Sequence, residues 1–231
     1  MANVGTESAG PSEDSDAYSG SAECNEIALG GATKRCADTL LAFAGLLALL
    51  PLFSLVCIAI KATTPGPMFY GHKRIGHRGK TFKCWKFRTM VADGDAVLRA
   101  HFDQCPDARK EWETSRKLSN DPRVTALGHV LRKYSVDELP QLLNVLQGDM
   151  SFVGPRPVVE DELEMYGPFA ADYLAARPGI TGLWQTSGRS DTSYEFRVAL
   201  DNRYVREWSF FADIKILLKT IPVVVGARGS Y

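Results

Sequence analysis

The sequence withholds several kinds of chemistry before it offers any. Its five cysteines (Cys24, Cys36, Cys57, Cys84, Cys105) are scattered, odd in number and without a CxxC pair. That argues against a disulfide framework and a structural zinc, and fits a reducing cytoplasm. The four histidines show no HExxH spacing, so any metal must be held by oxygen ligands. Residues 1–33 contain no Lys or Arg but six acids (Glu7, Glu13, Asp14, Asp16, Glu23, Glu26). Because the whole chain is formally neutral, the remainder carries an excess of about six positive charges, which favours an anionic partner. No internal repeat is present.

Residues 1–28 are rich in Ser, Gly, Ala, Glu and Asp and almost lack large apolar side chains. Such a stretch cannot offset its ordering entropy, so a disordered acidic tail is expected; it starts acidic and its apolar run comes too late for a signal peptide. Charge of either sign is then absent from Thr39 to Ile60, 22 residues. As a helix this run is about 33 Å long, enough for a bilayer core. Pro51 lies at its midpoint, where it removes a backbone hydrogen bond. Lys34 and Arg35 precede the run, and Lys61 to Met90 holds Lys61, Lys73, Arg74, Arg78, Lys80, Lys83, Lys86 and Arg88 with no acid. Positive flanks mark the cytoplasmic side. A spanning helix satisfies one flank; a helix bent at Pro51 that enters and leaves by one face satisfies both.

The pattern after Ile60 is that of a soluble, mixed domain. RIGHRGKTFKCWKFRTM predicts a hairpin turning at His77–Gly79. Residues 92–118 favour helix, Leu139–Leu146 predicts a helix stopped near Gly148, and Pro155–Pro157 forces an extended turn. Near the end, Trp208, Phe210 and Phe211 beside Lys215 and Lys219 suit either a helix in the membrane interface or one facing a core.

Asp137 and Glu138 are adjacent carboxylates just ahead of an apolar helix. Ser135-x-x-Glu138 has the capping-box pattern, with Pro140 placing the cap at Ser135 or nearer Asp137. The chemical alternative is that an ionised Asp attacks phosphorus, a neighbouring Glu holds magnesium, and Arg132 and Arg156 clamp a diphosphate.

Five stretches then carry a resemblance: KRCAD (34–38), PGPMFYGHKRIG (65–76), KFRTM (86–90), NDPRVTALGHVLRKYSVDELPQLLNVLQGDMSFVGPRP (120–157) and RPGITGLWQTSGR (177–189). In this order they resemble the bacterial sugar transferase family, the monotopic phosphoglycosyl transferases that start exopolysaccharide and related glycan assembly. The resemblance covers Lys34 to Tyr231. It implies a re-entrant helix-break-helix at Pro51 with both termini cytoplasmic, Asp137 as nucleophile and Glu138 as its magnesium-binding partner. It further implies phosphate contacts from Arg132 and Arg156, with Arg88 of KFRTM joined to them, and headgroup anchoring by Lys34 and Arg35. RPGITGLWQTSGR would enclose the nucleotide sugar, through Arg177, Gln185 and Arg189. Two departures are visible: Leu50 stands where many members carry Ser before the proline, and only a short acidic tail precedes the catalytic part.

The expected protein is an α/β-type, mostly helical monotopic membrane enzyme: tail 1–28, embedded segment 29–61, and cytoplasmic catalytic domain 62–231 with an interfacial C-terminal helix. It would sit on the inner leaflet of the cytoplasmic membrane, in contact with phospholipids. It would move a sugar 1-phosphate from a UDP-sugar (galactose or glucose) to polyprenyl (undecaprenyl) phosphate through a covalent aspartyl intermediate, with Mg2+ or substituting Mn2+. A homo-oligomer and downstream glycosyltransferases are further partners to expect, and nucleic acid is not. The rival reading is a non-catalytic membrane scaffold that recruits glycan-assembly enzymes.

Overall fold

The computed structural model describes residues 27–115, 118–187 and 193–226; the acidic tail up to residue 26 and Arg189 lie outside them. Among the described residues helices dominate, and the sheet content is two two-stranded pieces.

Helix α1 (Gly31–Thr63) follows Gly30, whose left-handed φ of 78° suits a residue without a side chain. One stripe faces the rest of the protein: Lys34, Asp38, Ala42, Leu46, Leu49, Phe53, Val56 and Ile60 recur at spacings of three or four residues. The opposite face exposes Leu40, Leu41, Phe43, Leu47, Leu50, Leu55 and Ile58. This is the one helix among the described residues long and apolar enough to cross a membrane. The expected helix-break-helix is here one helical element that continues through Pro51. Proline costs a single N–H···O bond to the Leu47 carbonyl, and the packed seam at Leu49 and Phe53 holds the flanking turns on either side of it. Ser54 donates its hydroxyl to the Leu50 carbonyl (3.0 Å), so it leaves no unpaired group on the apolar face.

Strands β1 (Phe69–Ile75) and β2 (Thr81–Phe87) form the predicted antiparallel hairpin about a short turn at His77–Gly79. Side-chain alternation puts Tyr70, His72 and Arg74 on the same face as Lys86, Cys84 and Phe82, their directly paired partners. At the open end Phe69 and Phe87 lie together against Phe53 of α1, with ring centroids 4.7–6.0 Å apart. Helices α2 (Gly94–Gln104) and α3 (Pro106–Ser115) follow, then α4 (Ala126–Lys133), capped by Thr125 Oγ1 accepting from the Gly128 amide. Helix α5 (Gln141–Gln147) ends at left-handed Gly148. Its fully buried Asn144 accepts from the Trp85 amide (3.0 Å) and donates to the Lys83 carbonyl (2.7 Å), completing the free edge of β2 with a side chain.

Strand β3 (Ser151–Val153) pairs in parallel with β4 (Gly179–Thr181); helices α6 (Glu160–Glu164) and α7 (Ala170–Ala175) lie between them in sequence. A Cβ on Gly154 would fall 2.3 Å from the Arg177 carbonyl oxygen, and one on Gly179 2.1 Å from the Gly154 nitrogen. Only glycines let these two backbones touch, and that contact draws Pro155–Pro157 against the segment after β4. Helices α8 (Tyr194–Arg206) and α9 (Phe210–Val225) close the fold. Helix α9 is held to α1 by a buried Lys34–Asp213 ion pair, whose carboxylate also accepts from Tyr204 and Trp208 (2.7 and 3.1 Å). Its outer face exposes Phe210, Phe211, Ile214, Leu218 and Ile221.

Candidate active site

The carboxylate pair sits between α4 and α5. Ser135 adopts φ 55° and makes no cap; Val136–Glu138 is a single 3-10 turn; and α5 starts at Gln141 with no side-chain cap. Neither acid caps the helix, so the capping reading is corrected. The left-handed Ser135 reverses the chain after α4 and turns Asp137 inward, where it is buried. Glu138 instead meets Lys86 of β2, Nζ to Oε1 2.6 Å.

Charge is arranged asymmetrically around the pair. Burial pushes the Asp137 carboxyl up to about 6; the Lys86 ammonium pulls against this, Glu138 adds to it, and Arg132 opposes it. Burial disfavours the Lys86 ammonium, but Glu138, and after it Asp137, outweigh burial and raise its pKa. Lys86 therefore stays a fixed cation between two carboxylates. Cys84, two residues earlier on the same face, is driven up to about 11 by burial and remains a thiol.

Glu138 and Lys86 open into a small cleft lined also by Arg74, Gln141, Arg156 and Gln185. Arg74 pairs with Glu162 at 3.2 Å. Arg156 stacks 5.6 Å from the Trp184 ring, and its backbone N–H donates to Asp201 (3.3 Å). Burial raises the Asp201 carboxyl to about 7. Arg132 does not line this cleft. Its Nε donates to Thr89 Oγ1 (2.9 Å), and its charge reaches Asp137 from the α4 side.

Four residues singled out in the sequence lie away from the carboxylates in the fold. Arg88 gives two guanidinium donors to the carbonyls of Pro65 and Thr64 (2.8 and 2.9 Å), securing the turn after α1 instead of facing the carboxylates. Lys34 is buried on Asp213, which withdraws it from headgroups. Arg35 donates to the Val145 and Leu146 carbonyls, and Arg177 to the Gly148 carbonyl (2.9 Å). Both arginines thus answer the unpaired, partly negative C-terminus of α5, which competes successfully for guanidinium donors. Of the proposed nucleotide-sugar residues, Gln185 reaches the cleft and Arg177 does not.

Sequence reasoning passed over Lys86, Arg74, Gln141, Trp184, Arg197 and Asp201. Lys86 and Arg74 stood among the basic residues of the run after the apolar segment; only the hairpin register separates them from Lys73 and Lys83, which point to the other face.

No group of three His, Cys, Asp or Glu that can hold a metal occurs among the described residues. Two adjacent carboxylates, of which Glu138 is paired with Lys86, still offer oxygen ligands of the kind magnesium takes, since it uses one or two protein carboxylates and completes its shell with phosphate oxygens and water.

A basic cleft lined by Glu138 beside the buried Asp137, in a chain with a long apolar helix, matches a class. A family model described as bacterial sugar transferase covers residues 29–227, and the chain belongs to that family. Among its relatives, it is 59% identical over 203 residues to the exopolysaccharide production protein ExoY of Sinorhizobium fredii, spanning 88% of this chain and 90% of that protein. It is 55% identical over 166 residues to the undecaprenyl-phosphate galactose phosphotransferase of Salmonella typhimurium, spanning 72% of this chain and 35% of that one. It is 40% identical over 197 residues to the UDP-glucose:undecaprenyl-phosphate glucose-1-phosphate transferase of Escherichia coli, spanning 81% and 39%.

Proposed function

We propose that this protein transfers a hexose 1-phosphate from a UDP-hexose to undecaprenyl phosphate at the cytoplasmic membrane, as the first step of an exopolysaccharide. The observation that carries the mechanism is the buried Asp137 carboxyl next to the Lys86–Glu138 pair. In the first displacement an Asp137 carboxylate oxygen attacks the β-phosphorus, the bond from that phosphorus to the α-phosphate oxygen breaks, and UMP departs. In the second, an oxygen of undecaprenyl phosphate attacks the same phosphorus and returns Asp137 as carboxylate. Lys86, Arg156 and Arg74 hold cationic charge where the diphosphate must lie, fixed before substrate arrives. Glu138, with Asp137, would hold magnesium, which would supply Lewis-acid stabilisation of phosphate charge.

Membrane seating follows from α1. Its inner stripe lies on the catalytic domain along nearly its full length, so a straight crossing of the bilayer would drag polar surface into lipid. Lowering the exposed leucine face of α1 and the Phe211 face of α9 into the inner leaflet buries both without that cost. Each large apolar side chain so buried contributes roughly 1.5–3 kcal/mol. Both ends of α1 then remain cytoplasmic.

The test is incubation with a UDP-hexose and no lipid acceptor. The expected result is one UMP released per active enzyme and a hexose phosphate on the peptide holding Asp137. Turnover with lipid, but neither burst nor adduct without it, would replace the covalent route by direct transfer.

A further inference from the structure

Arg74 and Arg156 line one cleft but come from separate parts of the chain, the end of β1 and the Pro155–Pro157 turn. Like charges do not hold station beside each other unaided. Burial disfavours the Arg74 guanidinium, Glu162 supports it, and Arg156 repels it. The distance between the two cations is set by the backbones that carry them.

Those backbones meet just beyond the arginines. Ile75, the residue after Arg74, and Val158, two after Arg156, form an isolated antiparallel bridge. One bond of the bridge is direct, from the Ile75 amide to the Val158 carbonyl (2.9 Å). The reciprocal bond runs through a side chain. The Val158 amide donates to the Tyr173 hydroxyl (3.2 Å), which donates in turn to the Ile75 carbonyl (2.7 Å). A hydroxyl therefore stands where a hydrogen-bonded antiparallel pair would otherwise close on itself. Tyr173 lies on α7, 2% exposed, with the Tyr166 ring edge-on at 5.1 Å. Tyr166 donates its own hydroxyl to Asp201 (2.9 Å), and the same carboxylate oxygen accepts from the Arg156 amide (3.3 Å). Prolines have no N–H. Arg156 and Val158 thus hold the only amide donors of Pro155–Val158, and this buried network takes both. Trp184 adds a side support, its ring 5.6 Å from Arg156 and 4.3 Å from Arg197.

We propose that Tyr173 is a positioning residue for the diphosphate: its hydroxyl sets the separation of Arg74 and Arg156, while Tyr166 and Asp201 fix the turn. The inference rests on the UDP-hexose reading above. Without the hydroxyl, the Val158 amide and the Ile75 carbonyl are free to bond directly, and β1 closes on the turn. A misplacement of about 1 Å in groups that hold a substrate costs on the order of 100-fold in rate.

Full-length Tyr173→Phe, which keeps the ring and removes one oxygen, tests this beside Arg156→Gln and the double variant. The measurements are the Kd for UDP in the presence of Mg2+ and kcat/KM for lipid-linked product from UDP-hexose. Tyr173→Phe is expected to weaken UDP binding and to lower kcat/KM, each by about 5-fold or more. In the Arg156→Gln background the same substitution should cost less than about 2-fold, because no pair of guanidinium groups is left to space. A smaller loss in the single variant overturns the inference. So does an equal loss in both backgrounds, which is what general weakening of the fold produces. Should Tyr173→Phe fail to fold, Tyr166→Phe, which leaves the Ile75–Val158 bridge in place and loosens Asp201, decides by the same comparison. A wild type that binds UDP but makes no lipid-linked product refutes the transfer reading, and the UDP affinities still decide the role of Tyr173.

Discussion

Lys86 Nζ lies 2.6 Å from Glu138 Oε1, joining the β-hairpin to the turn that carries Asp137. The contact depends on Asn144, whose side chain holds the β2 edge to α5. A lysine so placed both binds Glu138 and keeps the neighbouring Asp137 ionised against its own burial.

Replacing Lys86 with Met should lower kcat about 100-fold or more, the scale seen when one preorganised charge is removed from a reacting phosphoryl or acyl group. The acid limb of the pH profile should also move upward, since Lys86 opposes the rise of the Asp137 pKa. Lys86→Arg should restore the limb in part. A Lys86→Met enzyme with lowered rate but an unmoved limb would confine Lys86 to phosphate binding.

Asp137→Asn should abolish UMP burst and adduct together, because a neutral amide is a poor nucleophile towards phosphorus. The same variant should melt no lower than wild type, since it removes a charge whose burial is unfavourable. Thermal melting in detergent beside the activity assay checks this. An inactive variant that also melts several degrees lower would make Asp137 structural.

The pH dependence has opposite signs for activity and stability. The folded-state pKa of Asp137 is raised to about 6 and that of Asp201 to about 7, both by burial. Activity should therefore climb as pH rises through about 6, as Asp137 ionises. Protons bind the folded state more tightly than the unfolded one here, so these two groups favour folding at pH 4–5 and lose that contribution as pH rises through 6 to 7. The pH profile of the single-turnover burst, set against urea unfolding at the same pH values, reads both trends.

Arg177 and Arg156 should part company. Arg177→Gln is expected to destabilise the protein by about 1–2 kcal/mol through the lost carbonyl contact at Gly148, with KM for UDP-hexose unchanged. Arg156→Gln should raise KM or lower kcat at least 10-fold with little loss of stability. Denaturant midpoints and steady-state kinetics separate them; a KM effect at Arg177 would return it to the substrate site.

Removing divalent metal with excess EDTA should stop turnover, and adding Mg2+ or Mn2+ should restore it. Glu138→Gln should demand far higher metal concentrations, since the amide loses the charge that a hard cation prefers. Full activity in EDTA would take the ion out of the reaction.

Much of this protein was legible in the chain alone, because the signals were local. An uncharged run of 22 residues can only be a long apolar helix. Alternation about His77–Gly79 announced the hairpin, and Gly148 the end of α5. Adjacent Asp137 and Glu138 announced a site by standing where bases dominate. Tertiary structure alone decided which basic residues serve it. Sequence reasoning assigned roles to Lys34, Arg35, Arg88 and Arg177 and passed over Lys86 and Arg74, since a cation's partner is a matter of distance in space. Once folded, Asp213, the α5 C-terminus and the turn at Thr64–Pro65 claim the first four. Hairpin register and the glycine contact between Gly154 and Gly179 deliver Lys86, Arg74 and Arg156 to the cleft.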